Sequence, residues 1–201
     1  MKFCLALTGA LVLMLAAACT DESAAPETTA PETTAPETTA EETVPVTLED
    51  TTSLHVDLDA VVKFESVTPV AGLTSAGQPS EQGLQIFSDN GYSAIIDLRG
   101  PDEKRGFEER QAVVALGMEY VSLPIDSEND INYESAAVLA ELIESYDGPV
   151  LVHCASGNRV GALLALQKAH EGADIEVAIA YGKEGGMTRL EKHVREQLQT
   201  K

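Results

Sequence analysis

The segment with the clearest chemical potential is His153-Cys154-Ala155-Ser156-Gly157-Asn158-Arg159-Val160-Gly161. It follows the apolar run Val150-Leu151-Val152 and precedes a stretch rich in small residues, so it reads as a loop between a buried strand and a helix. A helix N-terminus leaves backbone N–H groups without intrahelical partners and carries positive potential. With Gly157 in the loop, successive N–H groups can point inward and form a cradle for an anion. The same field, with Arg159, favours a thiolate at Cys154. A thiolate beneath a bound oxyanion is a nucleophile aimed at the central phosphorus or sulfur. A lone cysteine is more commonly a core residue. An arginine in the first turn of a helix, however, is electrostatically misplaced unless an anion offsets it.

The elements that must hold this loop follow from periodicity and punctuation. Residues 70–75 read as an early strand, followed by a turn at Gly77-Gln78-Pro79. Ser80 is placed to cap a helix bearing Leu84, Ile86 and Phe87 that ends near Asn90-Gly91. Residues 93–98 form a short apolar strand, and a helix is expected over 103–116, stopped by Gly117. A third strand covers 119–123. Asn132 caps a helix through Ala136, Leu139, Leu142, Ile143 and Tyr146, stopped by Gly148-Pro149. After the cysteine loop come a helix from 160 to about 171 and two more near 174–181 and 187–198. This alternation predicts an α/β fold: a single domain with a largely parallel central sheet flanked by helices. Ligands of such sheets bind beyond the carboxyl ends of the strands, where the cysteine loop sits.

These residues carry a resemblance. Val150-Leu151-Val152-His153-Cys154, with Gly157 and Arg159 following, resembles the signature of cysteine-dependent phosphatases of the dual-specificity and protein-tyrosine-phosphatase-like superfamily. Upstream, Ser75-Ala76-Gly77-Gln78-Pro79, Ile95-Ile96-Asp97-Leu98-Arg99 and Gly117-Met118-Glu119-Tyr120-Val121-Ser122-Leu123-Pro124-Ile125-Asp126 occur in the order seen in the bacterial beta-lactamase-hydrolase-like phosphatase-like domain. The likeness covers roughly residues 66–171. It implies that Cys154 is the nucleophile and that Arg159 binds the equatorial oxygens of a small oxyanion or phosphate ester. Backbone amides of Ala155, Ser156, Gly157, Asn158, Arg159 and Val160 would complete the oxyanion cradle. Asp126 would be the general acid that protonates the leaving oxygen and then activates water. His153 would tune the thiolate through the backbone beside it.

Two departures from the family pattern matter. Four residues separate Cys154 from Arg159 where the family has five, and Val160 follows the arginine where Ser or Thr is common. A four-residue loop is the length found in rhodanese-like sulfurtransferases, whose cysteine becomes a persulfide without needing a general acid. Three functions therefore stand: a phosphomonoesterase working through phosphocysteine, a sulfurtransferase, and a non-catalytic lipoprotein that binds an anion or a partner. The intact Cys, Gly and Arg set favours the first two over the third. Asp126 lies beside Glu128 and Asp130, where an acidic loop is commonly just solvated. Asp97 and Arg99 are expected as a structural pair steadying the cradle, with Asp97 the alternative acid. Gln78 is explained as well by a turn as by the site.

The ends of the chain and its charge bound the rest. The 201 residues carry a formal net charge of −20, and no basic stripe exists, so a nucleic-acid partner is excluded. Residues 1–18, one lysine followed by an apolar run, read as a signal peptide. Leu15-Ala16-Ala17-Ala18-Cys19 resembles a bacterial lipobox, which implies lipidation of Cys19, a membrane anchor and an extracytoplasmic location. Residues 19–50, with the period Ala-Pro-Glu-Thr-Thr, are expected to be a disordered acidic tether. The folded domain is then expected over 51–201. Of three cysteines only Cys154 falls in that domain, which precludes a disulfide inside it. His55, His170 and His193 lack metal-ligand spacing and are expected at the surface, and neither metal nor cofactor is expected.

Overall fold

The four expected strands form one parallel sheet: β1 (Leu73–Ala76), β2 (Ala94–Asp97), β3 (Glu119–Ser122) and β4 (Val150–His153), in the order β1-β4-β2-β3. The structure, a computed structural model, describes residues 54–69 and 72–200. The leader, Cys19 and the tether over 19–50 lie outside the described residues, as do Val70 and Ala71 at the start of the first expected strand.

Successive strand side chains point to opposite faces, and the sheet sorts its residues accordingly. Leu73, Ala94, Ile96, Val150 and Val152 join one core with α4 (Tyr133–Glu144), α5 (Asn158–His170), α6 (Ile175–Glu184) and α7 (Glu191–Gln199). Ala76, Ile95 and Leu151 join a second core with α1 (Leu58–Phe64), α2 (Glu81–Asp89) and α3 (Glu109–Ala115). Both expected N-caps form: Ser80 Oγ accepts from Gly83 N at 3.1 Å, and Asn132 Oδ1 accepts from Ser135 N at 2.9 Å. Among the described residues no helix is long and apolar enough to cross a membrane.

Two expectations are corrected. The helix predicted over 103–116 begins only at Glu109. Residues before it turn inward instead, because Glu103 and Arg105 have buried partners and Gly106 sits at φ +89°, a left-handed conformation that ends regular structure. Helix α1 has no counterpart among the expected elements; Asp57 caps it, accepting from Asp59 N at 3.0 Å. Helix α5 is buried along most of its length, from Asn158 to Leu166. It packs closely on α6, where a Cβ at Gly161 would collide with Gly182 O and Met187 N, so only glycine permits that approach.

Candidate active site

Parallel register brings Ala76, His153 and Asp97 side by side at the carboxyl ends of β1, β4 and β2. The loops that follow these strands therefore meet at one edge. Cys154 comes next, free and buried, with 1% of its surface exposed. Two bonds tie its loop to the end of β1: Cys154 N donates to Ala76 O and Gln78 N to Ala155 O, both at 3.4 Å. Ala155 and Ser156, which follow it, are exposed. Gly157 has φ +80°, so the chain turns there into α5 with a conformation that side chains disfavour. No side chain caps this N-terminus. The first N–H groups of α5 are thus left for the loop, which is the arrangement an oxyanion needs.

The remaining loop residues divide by role. Asn158 turns its side chain away from the cradle: Oδ1 accepts from Thr188 N at 2.8 Å, Thr188 Oγ1 at 3.2 Å and Leu190 N at 3.3 Å. Its side chain anchors the turn between α6 and α7, leaving only its backbone to the anion. Val160 is fully buried in the same core as Cys154, which accounts for an apolar residue where a hydroxyl is common in the family.

Arg159 is clamped by a residue that sequence reasoning passes over. Its Nη1 and Nη2 donate to Glu103 Oε1 and Oε2 at 2.7 and 2.8 Å, and Nη1 also reaches Ile125 O at 3.0 Å and Leu98 O at 3.3 Å. The planar fork is thereby fixed in direction. The Glu103 hydrogen bond lifts Arg159 above its usual pKa against the desolvation that opposes it, and the neighbouring Cys154 sulfur adds to the lift. In return, Arg159 foremost, with Gly100 N–H and Arg99, lowers the Glu103 carboxyl to about 2.

A cavity of about 400 Å³ opens on Arg159, with Glu103, Asp126 and Asp130 in its walls. Arg159 and Asp126 thus share one cavity, whereas Cys154 is buried and does not line it. Asp126 is exposed, and its Oδ1 accepts from Glu128 N, Asn129 N and Asn129 Nδ2 at 3.0, 2.9 and 2.8 Å. Those two backbone N–H groups foremost hold its carboxyl below the usual range, and Arg159 contributes as well.

Below the loop lies a buried polar network. Asp97 is fully buried; its Oδ2 takes Arg105 Nη2 at 2.6 Å and Tyr120 Oη at 2.7 Å, and its Oδ1 takes Arg99 N at 2.8 Å. The expected Asp97–Arg99 pairing is therefore backbone only, and the guanidinium partner of Asp97 is Arg105. The guanidinium of Arg99 binds Gln78 Oε1, Glu103 Oε2 and Lys104 O. Gln78 in turn donates to Glu109 Oε1 at 3.0 Å, so it faces the site rather than serving only its turn. His153 sits between Cys154 O, 3.3 Å from Nδ1, and Glu109 Oε1, 3.1 Å from Nε2. Asp97, Glu109 and His153 offer atoms within 4.8 Å of one another, the spacing of metal ligands. Arg105, at 2.6 Å from Asp97 and 3.5 Å from Glu109, already supplies the positive charge there.

Glu103 and Arg105 have a legible signal, since Gly100-Pro101 and Gly106 bracket a turn-rich segment within the expected helix. Glu109 has none. Nor does His55, expected at the surface but half-buried with its ring against Gly157. His193 is also partly buried, with Nε2 3.1 Å from Ile131 O, while His170 is exposed as expected.

A thiol at the end of the central strand, a left-handed glycine and an arginine in the first turn of the next helix define the cysteine-dependent, protein-tyrosine-phosphatase-like class. The chain belongs to the family described as dual-specificity protein-tyrosine-phosphatase-type phosphatase fused to NAD+ kinase, which it matches over residues 57–200. It is 32% identical over 112 residues to a beta-lactamase hydrolase-like protein of Agrobacterium fabrum, covering 52% of this chain and 26% of that protein. A protein of the same name from Xylella fastidiosa is 31% identical over 104 residues, covering 50% and 24%. The chain thus spans about a quarter of the length of the curated relatives it matches. Similar folds include a phosphatase candidate from Neisseria meningitidis, with a TM-score of 0.52 and 19% identity over 60% of this chain and 89% of that one. Another, from Shewanella putrefaciens, gives 0.51 and 20% over 72% and 93%. At these identities the two structures speak to the fold alone.

Proposed function

We propose that the domain is a cysteine-dependent hydrolase of phosphate monoesters that works through a phosphocysteine intermediate. The observation that carries this reading is a buried Cys154, three residues ahead of the uncapped N-terminus of α5, beside an Arg159 whose fork Glu103 holds in one direction. The phosphoryl group binds to the loop amides and Arg159. The Cys154 thiolate then attacks phosphorus, an S–P bond forms, and the P–O bond to the leaving group breaks. Asp126, which lines the cavity that opens on Arg159, protonates the leaving oxygen and afterwards takes a proton from the water that hydrolyses the thiophosphate, returning the thiolate and inorganic phosphate. Glu103, Asp126 and Asp130 line the approach, so the group attached to the phosphate is neutral or basic rather than acidic. The lipobox-like segment ending at Cys19 supports an extracytoplasmic protein attached to a membrane, with the acidic segment as spacer.

Aryl-phosphate hydrolysis by the full chain under reducing conditions tests this. Release of phosphate that falls at least about a thousandfold in Cys154→Ser is expected. Turnover equal in the parent and the Ser variant would overturn the reading.

A second reading is favoured by the four-residue spacing and by an Asp126 held ionised: a persulfide at Cys154, which requires no acid. Thiocyanate formed from thiosulfate and cyanide, lost in the same variant, would establish it.

A further inference from the structure

Ahead of α1, Leu54-His55-Val56 runs alongside β1 as an added partner. Ser75 N donates to Leu54 O at 2.8 Å, Val56 N to Ser75 O at 2.9 Å, and His55 N to Glu184 O at 3.0 Å, at the end of α6. Leu54 is buried in the core that contains Cys154. The His55 ring lies in a notch between two glycines from separate parts of the chain. A Cβ at Gly157 would collide with it, and one at Gly186, φ +94°, would stand 2.7 Å from Nδ1. Ser75 Oγ donates its one proton to Gly185 O at 2.7 Å, so His55 Nδ1, 3.2 Å away, is the donor to Ser75. One imidazole thus touches β1, the cysteine loop and the turn after α6. Burial lowers its pKa against the opposing pull of Asp57, so the ring is uncharged at neutral pH and acts by contact.

We propose that His55 is a positioning residue for the cysteine loop, its ring holding the Gly157 turn in the conformation that directs the loop amides at the anion. A glycine has more backbone states to lose than any other residue. A left-handed glycine that shapes a binding loop therefore needs a neighbour to exclude the alternatives, and the His55 ring is that neighbour. Ser75, in the segment Ser75-Ala76-Gly77-Gln78-Pro79, holds the ring by its edge. The role rests on the reading of the cysteine loop as the reactive site, but it concerns the loop's shape and not the identity of the group transferred.

The test uses the full chain with His55→Ala and His55→Phe, the latter keeping a ring over the glycines. Each protein is treated with iodoacetamide at a fixed interval below its own Tm, and modification of Cys154 is followed by peptide mass spectrometry. Aryl-phosphate kinetics are measured alongside. His55→Ala is expected to speed alkylation of Cys154 at least about threefold and to lower kcat about tenfold with a smaller change in KM. His55→Phe is expected to recover most of both. A Cys154 alkylation rate in His55→Ala within the error of the parent would overturn the proposal. Because alkylation needs no turnover, that outcome is independent of whether the parent hydrolyses phosphate esters.

Discussion

Two acidic neighbourhoods flank Arg159 and are satisfied by opposite means. Asp97, at the end of β2, is buried, and its oxygens are taken by the Arg105 guanidinium, the Tyr120 hydroxyl and the Arg99 N–H. Asp126, in the loop after β3, is exposed and is bound by N–H groups no more than three residues away. Removing Asp97 takes from the Arg105 guanidinium its nearest carboxylate and from Tyr120 its acceptor in a largely dry setting, whereas Asp126 can change partners by rotating one side chain. The edge of the sheet therefore has a fixed half, which shapes the floor under the cysteine loop, and an adjustable half, which faces the cavity. Under the proposed mechanism Asp126 is the proton donor because it faces the cavity, and Asp97, with its oxygens occupied by buried partners, supports the floor.

The contrast breaks first if Asp97 proves dispensable. Asp97→Ala should cost about 3–5 kcal/mol of stability, the usual penalty for removing one partner of a buried ion pair, measured by denaturant unfolding. A loss under about 1 kcal/mol would show that the fixed half is not fixed. Asp126→Asn should leave the fold intact while slowing alkyl-phosphate hydrolysis about a hundredfold, with much less effect on aryl esters whose leaving groups need no proton. Since the Asp126 carboxyl titrates below the usual carboxylate range, the parent's alkyl-phosphate rate should already be falling as pH rises through that lower value. A rate that stays flat to pH 7 would exclude it as the acid. The smallest effect concerns Glu103, whose carboxyl titrates at about 2 when bound to Arg159. A depressed carboxyl stabilises the fold above its ordinary pKa and ceases to do so as pH falls towards the folded value. With a third of its side chain exposed, Glu103→Gln should remove no more than about 1 kcal/mol at pH 7 and leave stability below pH 2 unchanged.

Local signals in the sequence are enough for the sheet, the cysteine loop and most helix starts. The caps at Ser80 and Asn132 and the run Val150-Leu151-Val152 each act within a few residues, and each appears where expected. Partners distant in the chain are not legible. Glu103 meets Arg159 across 56 positions; Gly100-Pro101 and Gly106 mark the break in the helix there, but not the partner that holds Glu103. Glu109 has the spacing of an ordinary surface residue on a helix, and only the fold shows it beneath His153. His55 stands alone next to a low-complexity segment, and its contact with Gly157 depends on strand pairing that no short-range pattern encodes.

The burial of α5 on nearly every side has a consequence for the order in which the molecule is made. The helix begins four residues after the cysteine, but its outer faces are covered by α6, α7 and the turn between them, through Ile179, Met187, Val194 and Leu198. Thr188 and Leu190, which hold Asn158, also come later in the chain. During synthesis the thiol at 154 must therefore wait for some forty-four further residues, through Leu198, before its surroundings close. Throughout that interval it is an accessible sulfur with no finished pocket around it, and an oxidant encountered then would find it unshielded.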